Sequence, residues 1–259
     1  MFIDIHLVDH CNLNCKGCNH YAPIADPNFC DTDKVIENLG KLRQKGILRF
    51  VDIINLIGGE PLLNPYINDI IEKAGKILKN GKTRLRIITN GVLLPKMNES
   101  FWNMVLNYNV IISVTRYPIN FNYEEVEKLC KRKKVEFEIF GNRDDKDGFS
   151  LFRLKQTDHI PDSKELTENY NKCFFQCLQL ADSKLYICPP SAYHKILNKK
   201  FNTDFQLSKG DYLNIDEINI LKFLRFRIKS KKFCRYCQFP IPNIDWGITQ
   251  KKAKEWIIE

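Results

Sequence analysis

The stretch FIDIHLVDHCNLNCKGC, residues 2–18, decides how the rest of the chain reads. Its first half, residues 2–8, alternates apolar and polar side chains with the two-residue period of a β-strand. Its second half puts three thiols, Cys11, Cys15 and Cys18, on one loop at the strand's C-terminal end. Parallel α/β folds gather their sites at that end of their strands. The segment therefore predicts a fold and a place for chemistry together.

Outward from it, four further β-branched or apolar runs follow, at residues 50–57, 84–89, 110–114 and 135–140. Amphipathic stretches of helical length separate them, at 33–45, 64–79, 97–107 and 123–133, with Asp31, Asn64 and Asn122 placed as N-caps. Strand and helix in strict alternation imply βαβ units and a parallel sheet. The polar residues 141–148 read as a loop closing this region. From about Leu166 the periodicity is irregular, cysteine pairs appear and Cys188-Pro189-Pro190 interrupts the chain, which suits a small metal-stapled appendage. The expected division is a core at residues 1–165 and an appendage at 166–259.

With 259 residues, 44% hydrophobic and 27% charged, the chain can bury a real core. Its start lacks the basic and apolar segments of a signal peptide, and no apolar run approaches the ~18 to 20 residues of a membrane span. A cytoplasmic setting without membrane contact is expected, and there ten cysteines point to metal rather than disulfides. The excess of Lys+Arg 40 over Asp+Glu 31 would suit an acidic partner. Lysines are spread along the chain, however, and the dense runs at 131–134 and 229–232 lack the interleaved aromatics of a single-strand platform, so nucleic acid is the disfavoured partner.

Three thiolates on one short loop can hold three irons of a 4Fe-4S cluster and leave the fourth without a protein ligand, which makes that iron a chemical site. Structural zinc takes four protein ligands, so the triple suits zinc only if a distant residue completes it. The CxxxCxxC spacing directly after a first strand resembles the signature of the radical S-adenosylmethionine (SAM) superfamily. Gly58-Gly59-Glu60-Pro61 after the second strand looks like the family's GGEP motif, which the resemblance assigns to the methionyl amino group of SAM. Glycines let the backbone approach a ligand, and a carboxylate accepts hydrogen bonds from an ammonium. Thr89-Asn90-Gly91 after the third strand is similar to a family segment, and Ser113 and Arg116 at the fourth occupy positions that the resemblance gives to the SAM ribose or carboxylate. Singly, these are a turn before a helix, a β-turn and a solvated arginine. Their order at successive strand ends joins them. The resemblance implies a partial (β/α)6 parallel barrel. One departure is Gly17, where the family usually carries an aromatic; Tyr21 or His20 would then pack near the adenine.

A second group of thiols lies at Cys173, Cys177, Cys188, Cys234 and Cys237. Cys173, with Ser183 ahead of Cys188, resembles the opening pattern of the SPASM domain and its shorter relative, the twitch domain, with serine replacing the usual glycine. Five thiols are too few for two fully ligated clusters, so one auxiliary 4Fe-4S cluster on Cys173, Cys188, Cys234 and Cys237 is favoured. Cys177 competes with Cys173, and a four-cysteine zinc site remains the alternative. Cys30 and Cys130 read as plain buried thiols.

The resemblance implies that SAM chelates the open iron and is cleaved by one electron, supplied by a flavodoxin- or ferredoxin-type donor, to a 5′-deoxyadenosyl radical that takes a substrate hydrogen. An auxiliary cluster would assist redox chemistry or bind substrate. The substrate class is a peptide or a small polar, sugar-like molecule. The first strand begins at the chain's start, with no preceding leader-binding segment, which tilts the expectation away from peptides. His10, His20, Tyr21, Asp26 and His194 are candidate acids, bases or hydrogen donors, each more often a structural residue. An RNA-modifying radical enzyme and a non-catalytic iron-sulfur or zinc protein are the competing classes.

Overall fold

The computed structural model describes residues 1–140, 149–157, 159, 161–173 and 177–258; the polar loop expected at 141–148 lies outside the described residues. Contacts divide the chain into two units, Met1–Val8 with Asn28–Asp145, and Asp9–Pro27 with Lys146–Glu259.

The first unit is built from strands β1 (Phe2–His6), β2 (Ile53–Ile57), β3 (Arg84–Thr89), β4 (Ile111–Thr115) and β5 (Phe137–Phe140). Helices α1 (Thr32–Gln44), α2 (Ile67–Leu78), α3 (Glu99–Asn107) and α4 (Tyr123–Lys133) alternate with them. The strands pair in parallel in chain order, β1 to β2, β2 to β3, β3 to β4 and β4 to β5. Right-handed crossovers that always step in one direction put every helix on one face, the order of a barrel wall rather than of a doubly wound sheet. The predicted parallel α/β fold is the observed one.

Side-chain alternation gives this wall two unlike faces. Ile5, Leu56, Ile87 and Ile112 lie in register across four strands and are each fully buried, which contributes about 1.5–3 kcal/mol per side chain. The opposite face is polar. Asn55 Nδ2 donates to Asp4 Oδ1 (2.6 Å), Arg86 Nε donates to Asn55 Oδ1 (2.8 Å), and Arg86 Nη1 meets Glu138 Oε1 (3.0 Å), a chain of hydrogen bonds from β1 to β5.

Helix starts follow local capping chemistry. Asp31 accepts from Lys34 N (3.1 Å) and Asn122 from Glu124 N (3.1 Å), as read from the sequence. Asn64 is different. Pro65 follows it and disfavours helical backbone at the residue before; Asn64 is extended, accepts from Tyr66 N (2.8 Å) and donates to the Leu7 carbonyl (3.0 Å). Helix α2 accordingly starts three residues late, at Ile67. The expected start of β2 at residue 50 also moves, because Ile47–Phe50 closes a 3-10 turn fastened when the Thr83 hydroxyl donates to the Leu48 and Val51 carbonyls.

The second unit holds β6 (Phe149–Ser150), β7 (Leu154–Lys155), α5 (Ser163–Lys172), β8 (Leu178–Ala181), β9 (Lys184–Tyr186), α6 (Pro189–Phe201), β10 (Tyr212–Asn214), α7 (Ile220–Ile228), β11 (Asn243–Ile244) and β12 (Ile257–Ile258). β8, β9 and β10 form an antiparallel meander, β6 pairs with β11, and β7 with β12. Its core gathers Tyr21, Leu197, Phe205, Phe233, Tyr236 and Trp256. The β8–β9 turn carries Asp182 and Ser183 at φ 48° and 55°, the left-handed pair of a tight hairpin. Ser183 thus takes the conformation that glycine supplies more cheaply, which accounts for the glycine in the pattern it resembles.

Candidate functional site

The front cysteine loop folds with the second unit. Leu13 N donates to Cys11 Sγ (3.3 Å), and Trp246 Nε1 donates to Cys15 Sγ (3.2 Å). Backbone N–H groups of His20, Tyr21 and Ala22 face the Cys18 sulfur. Burial nonetheless pushes the Cys15 thiol up to about 11, with the Trp246 hydrogen bond opposing, and raises Cys18 as well. Buried thiols of this kind ionise at neutral pH when a metal supplies the compensating charge. The N–H donors are already aimed at the sulfurs that would carry the negative charge.

Gly17 sits at φ +65°, and a Cβ there would fall 2.1 Å from Leu151 Cδ1. A left-handed turn against Leu151 explains why this chain has no aromatic before its third cysteine. Tyr21 is buried in the second unit's core, and His20 stacks on Tyr193 at 5.2 Å between centroids.

The remaining SAM-assigned residues lie in the first unit. Gly58 adopts φ +148°, and a Cβ there would meet the Val8 carbonyl at 2.5 Å, while Gly59 N donates to that carbonyl (2.6 Å). Glu60 is fully buried just before the 3-10 turn Pro61–Leu63. Its carboxylate accepts from Leu62 N (3.1 Å), Thr89 Oγ1 (2.7 Å) and Asn90 N (2.9 Å), yet burial outweighs these and pushes it up to about 7. Asn90 closes its turn by accepting from Val92 N (3.0 Å). Ser113 is buried on β4 in register with Glu138. Arg116 lies 5.5 Å over the Tyr123 ring, and its buried Nε has no hydrogen-bond partner among the described residues.

The back thiols also converge electrostatically. Burial raises the Cys237 thiol, with Cys234, Cys188 and Cys173 adding to the shift, and burial pushes Cys188 up to about 11 and Cys234 up to about 12. Cys173 ends α5, and Cys177 precedes β8 with its carbonyl accepting from Gln179 Nε2 (3.0 Å). Lys231 is buried among them with its Nζ on the Phe226 carbonyl (2.5 Å); burial pulls it down to about 8, opposed by Cys234, Asp211 and Cys188. The Tyr21 hydroxyl, beside Cys237, Cys188 and Cys18, has no hydrogen-bond partner among the described residues.

The Radical SAM superfamily model matches residues 5–140, more than half of the chain. The chain belongs to the radical SAM superfamily. Among curated relatives of this radical SAM protein, a 97-residue segment is 32% identical to molybdenum cofactor biosynthesis protein 1 of Dictyostelium discoideum, covering 37% of this chain and 15% of that one. A 115-residue segment is 31% identical to the S-adenosylmethionine-dependent nucleotide dehydratase of Flammeovirga pacifica, covering 40% and 36%. A 141-residue segment is 30% identical to GTP 3′,8-cyclase of Aquifex aeolicus, covering 52% and 40%. The chain therefore spans well under half the length of the curated relatives it matches. Two solved structures share its fold: BtrN in complex with AdoMet and 2-DOIA (TM-score 0.55, 15% identity, covering 98% of this chain and 96% of that one), and native anSMEcpe with bound AdoMet (TM-score 0.56, 16% identity, 90% and 84%).

Membership supports an enzyme and implies a 4Fe-4S cluster and SAM. The residues present fit those groups: N–H donors meet all three front sulfurs, and an orphaned guanidinium nitrogen suits a carboxylate. Among the described residues no three His, Cys, Asp or Glu side chains close on a single-ion position, whereas thiolates at the corners of an iron-sulfur cube stand farther apart. None of the described helices is long and apolar enough to cross a membrane. Sequence reading missed Trp246, Lys231 and the Asp4–Asn55–Arg86–Glu138 row. The row was visible as polar residues at alternate positions of otherwise apolar strands; Trp246 carried no local signal.

Proposed function

We propose that this chain cleaves SAM reductively at a 4Fe-4S cluster held by Cys11, Cys15 and Cys18, and abstracts a hydrogen from a small polar molecule or a peptide. The observation that carries this is the front loop, where every sulfur already faces an N–H donor. The cluster and SAM together supply a 5′-deoxyadenosyl radical when bound and reduced. Gly58 and Gly59 would let the backbone come close to the methionyl end of SAM, and buried Glu60, bonded to Leu62 N, Thr89 Oγ1 and Asn90 N, would hold that loop in place. Arg116 is suited to the SAM carboxylate, with Asn90 and Ser113 assigned to its polar groups. The hydrogen-bonded row Asp4–Asn55–Arg86–Glu138 supplies donors and acceptors for a polar substrate, and the curated relatives named for nucleotide chemistry favour the small-molecule branch.

Cys173, Cys188, Cys234 and Cys237 hold an auxiliary 4Fe-4S cluster of twitch type, in a region supplying a buried cation, Lys231, and an unpartnered hydroxyl, Tyr21. A flavodoxin- or ferredoxin-type protein of the cytoplasm delivers the electron.

Anaerobic reconstitution tests this reading. About eight irons per chain are expected for two 4Fe-4S clusters, and the reduced protein should form 5′-deoxyadenosine, which Cys15→Ala abolishes. No deoxyadenosine from a fully loaded protein, or zinc in the front loop, would refute it. About four irons with deoxyadenosine intact would remove the auxiliary cluster alone.

A further inference from the structure

The Trp246 indole reaches Cys15 across 231 positions of sequence and meets its sulfur at 3.2 Å. The contact is built rather than incidental, because backbone pairs fasten both strands of chain around it. Lys16 N donates to the Gly247 carbonyl (2.8 Å), Thr249 N donates to the Asn14 carbonyl (2.9 Å), and Cys15 and Ile248 form an antiparallel bridge. The tail is itself folded about the buried carboxylate of Glu255, which accepts from the Thr249 hydroxyl (2.5 Å) and from Gln250 N (2.9 Å). Trp256 then donates Nε1 to the Cys18 carbonyl (3.0 Å), so the same segment holds two of the three cysteines.

We infer that Trp246 is a positioning residue that sets the reduction potential of the front cluster by donating its indole N–H to the Cys15 thiolate. The inference rests on the proposed ligation by Cys11, Cys15 and Cys18. At Cys11 and Cys18 the donors are backbone N–H groups, which only a substitution by proline would remove. At Cys15 a side chain supplies a donor, so this is where sequence can tune the cluster. Adding an electron increases the negative charge on the cluster and its thiolates. A fixed N–H donor therefore stabilises the reduced form more than the oxidised one and moves the potential upward. The protein can then be reduced by a milder donor.

The test is a potentiometric titration of the anaerobically reconstituted full chain, following the EPR signal that changes when SAM is added and so reports the cluster with the open iron. Iron and sulfide are counted first, and absence of a front cluster would defeat the proposed function rather than this inference. With iron content unchanged, Trp246→Phe should lower the midpoint. The reduced-to-oxidised ratio at a fixed poise should fall by about tenfold, equivalent to about 59 mV for a one-electron couple. Trp246→His, which keeps a ring N–H, should recover part of the shift. An unmoved midpoint in Trp246→Phe overturns the inference, as does an equal shift in both variants, which would mark ring volume rather than the N–H. If Trp246→Phe loses the cluster, Trp246→His is read instead: a midpoint near wild type sustains the inference, and loss from both overturns it.

Discussion

The Thr89 hydroxyl, at the end of β3, donates to Oε1 of Glu60, just beyond the end of β2, across 2.7 Å. With Asn90 N and Leu62 N on the same carboxylate, Glu60 pins two loops together while sitting fully buried. It is a structural bolt whose charge is held at some cost.

That cost gives a pH signature. The folded-state value of about 7 lies above the ordinary 4.5, so between those two pH values the folded protein keeps a proton that the unfolded chain releases. Stability contributed by this group therefore falls as pH rises through the window, by about 3 kcal/mol in all. Thermal unfolding of Glu60→Gln should show a flatter decline from pH 5 to pH 8 than wild type. Parallel declines would mean that Glu60 does not titrate there.

Gly17 tests the departure from the family pattern. Gly17→Tyr restores the usual aromatic but imposes a left-handed backbone, costing about 1–2 kcal/mol, and crowds Leu151. The variant should unfold at lower temperature and retain less iron after reconstitution. An unchanged melting point would show that the turn relaxes freely.

Cys173 and Cys177 should behave differently. Cys173 shares its electrostatic surroundings with Cys188, Cys234 and Cys237, so Cys173→Ala should drop the iron count from about eight to about four. Cys177→Ala should keep about eight. The reverse result would assign the fourth ligand to Cys177.

Lys231 is placed to offset negative charge on the back thiols. Lys231→Met keeps the stem's packing and removes the cation, so the auxiliary cluster should become harder to reduce in an EPR titration, with the SAM-responsive signal unmoved. An unchanged auxiliary midpoint would assign Lys231 to the Phe226 and Lys229 carbonyls alone.

Much of the first unit was legible because its signals are local. Residues 84–89 and 123–133 appear as β3 and α4 with the predicted bounds, since alternation, an Asn122 cap and a helical stripe each act within a few residues. Asn64 was misplaced as a helix cap because Pro65 and the distant Leu7 carbonyl together decide its backbone. The cysteines stand out in the sequence as candidate ligands, but their packing does not. That Trp246 donates to Cys15, or that a lysine lies buried beside Cys234, depends on contacts between segments that share no periodicity.

The split second unit sets a timetable for making the protein. Residues 9–27 are made more than 200 positions before Trp246, Gly247, Thr249 and Trp256, which grip them. At about 5–20 residues per second of synthesis, the cysteine loop waits on the order of 10 to 50 s for its companions. A nascent chain stalled before residue 246 therefore lacks the indole that donates to Cys15 and the backbone pairs that fasten residues 14–16.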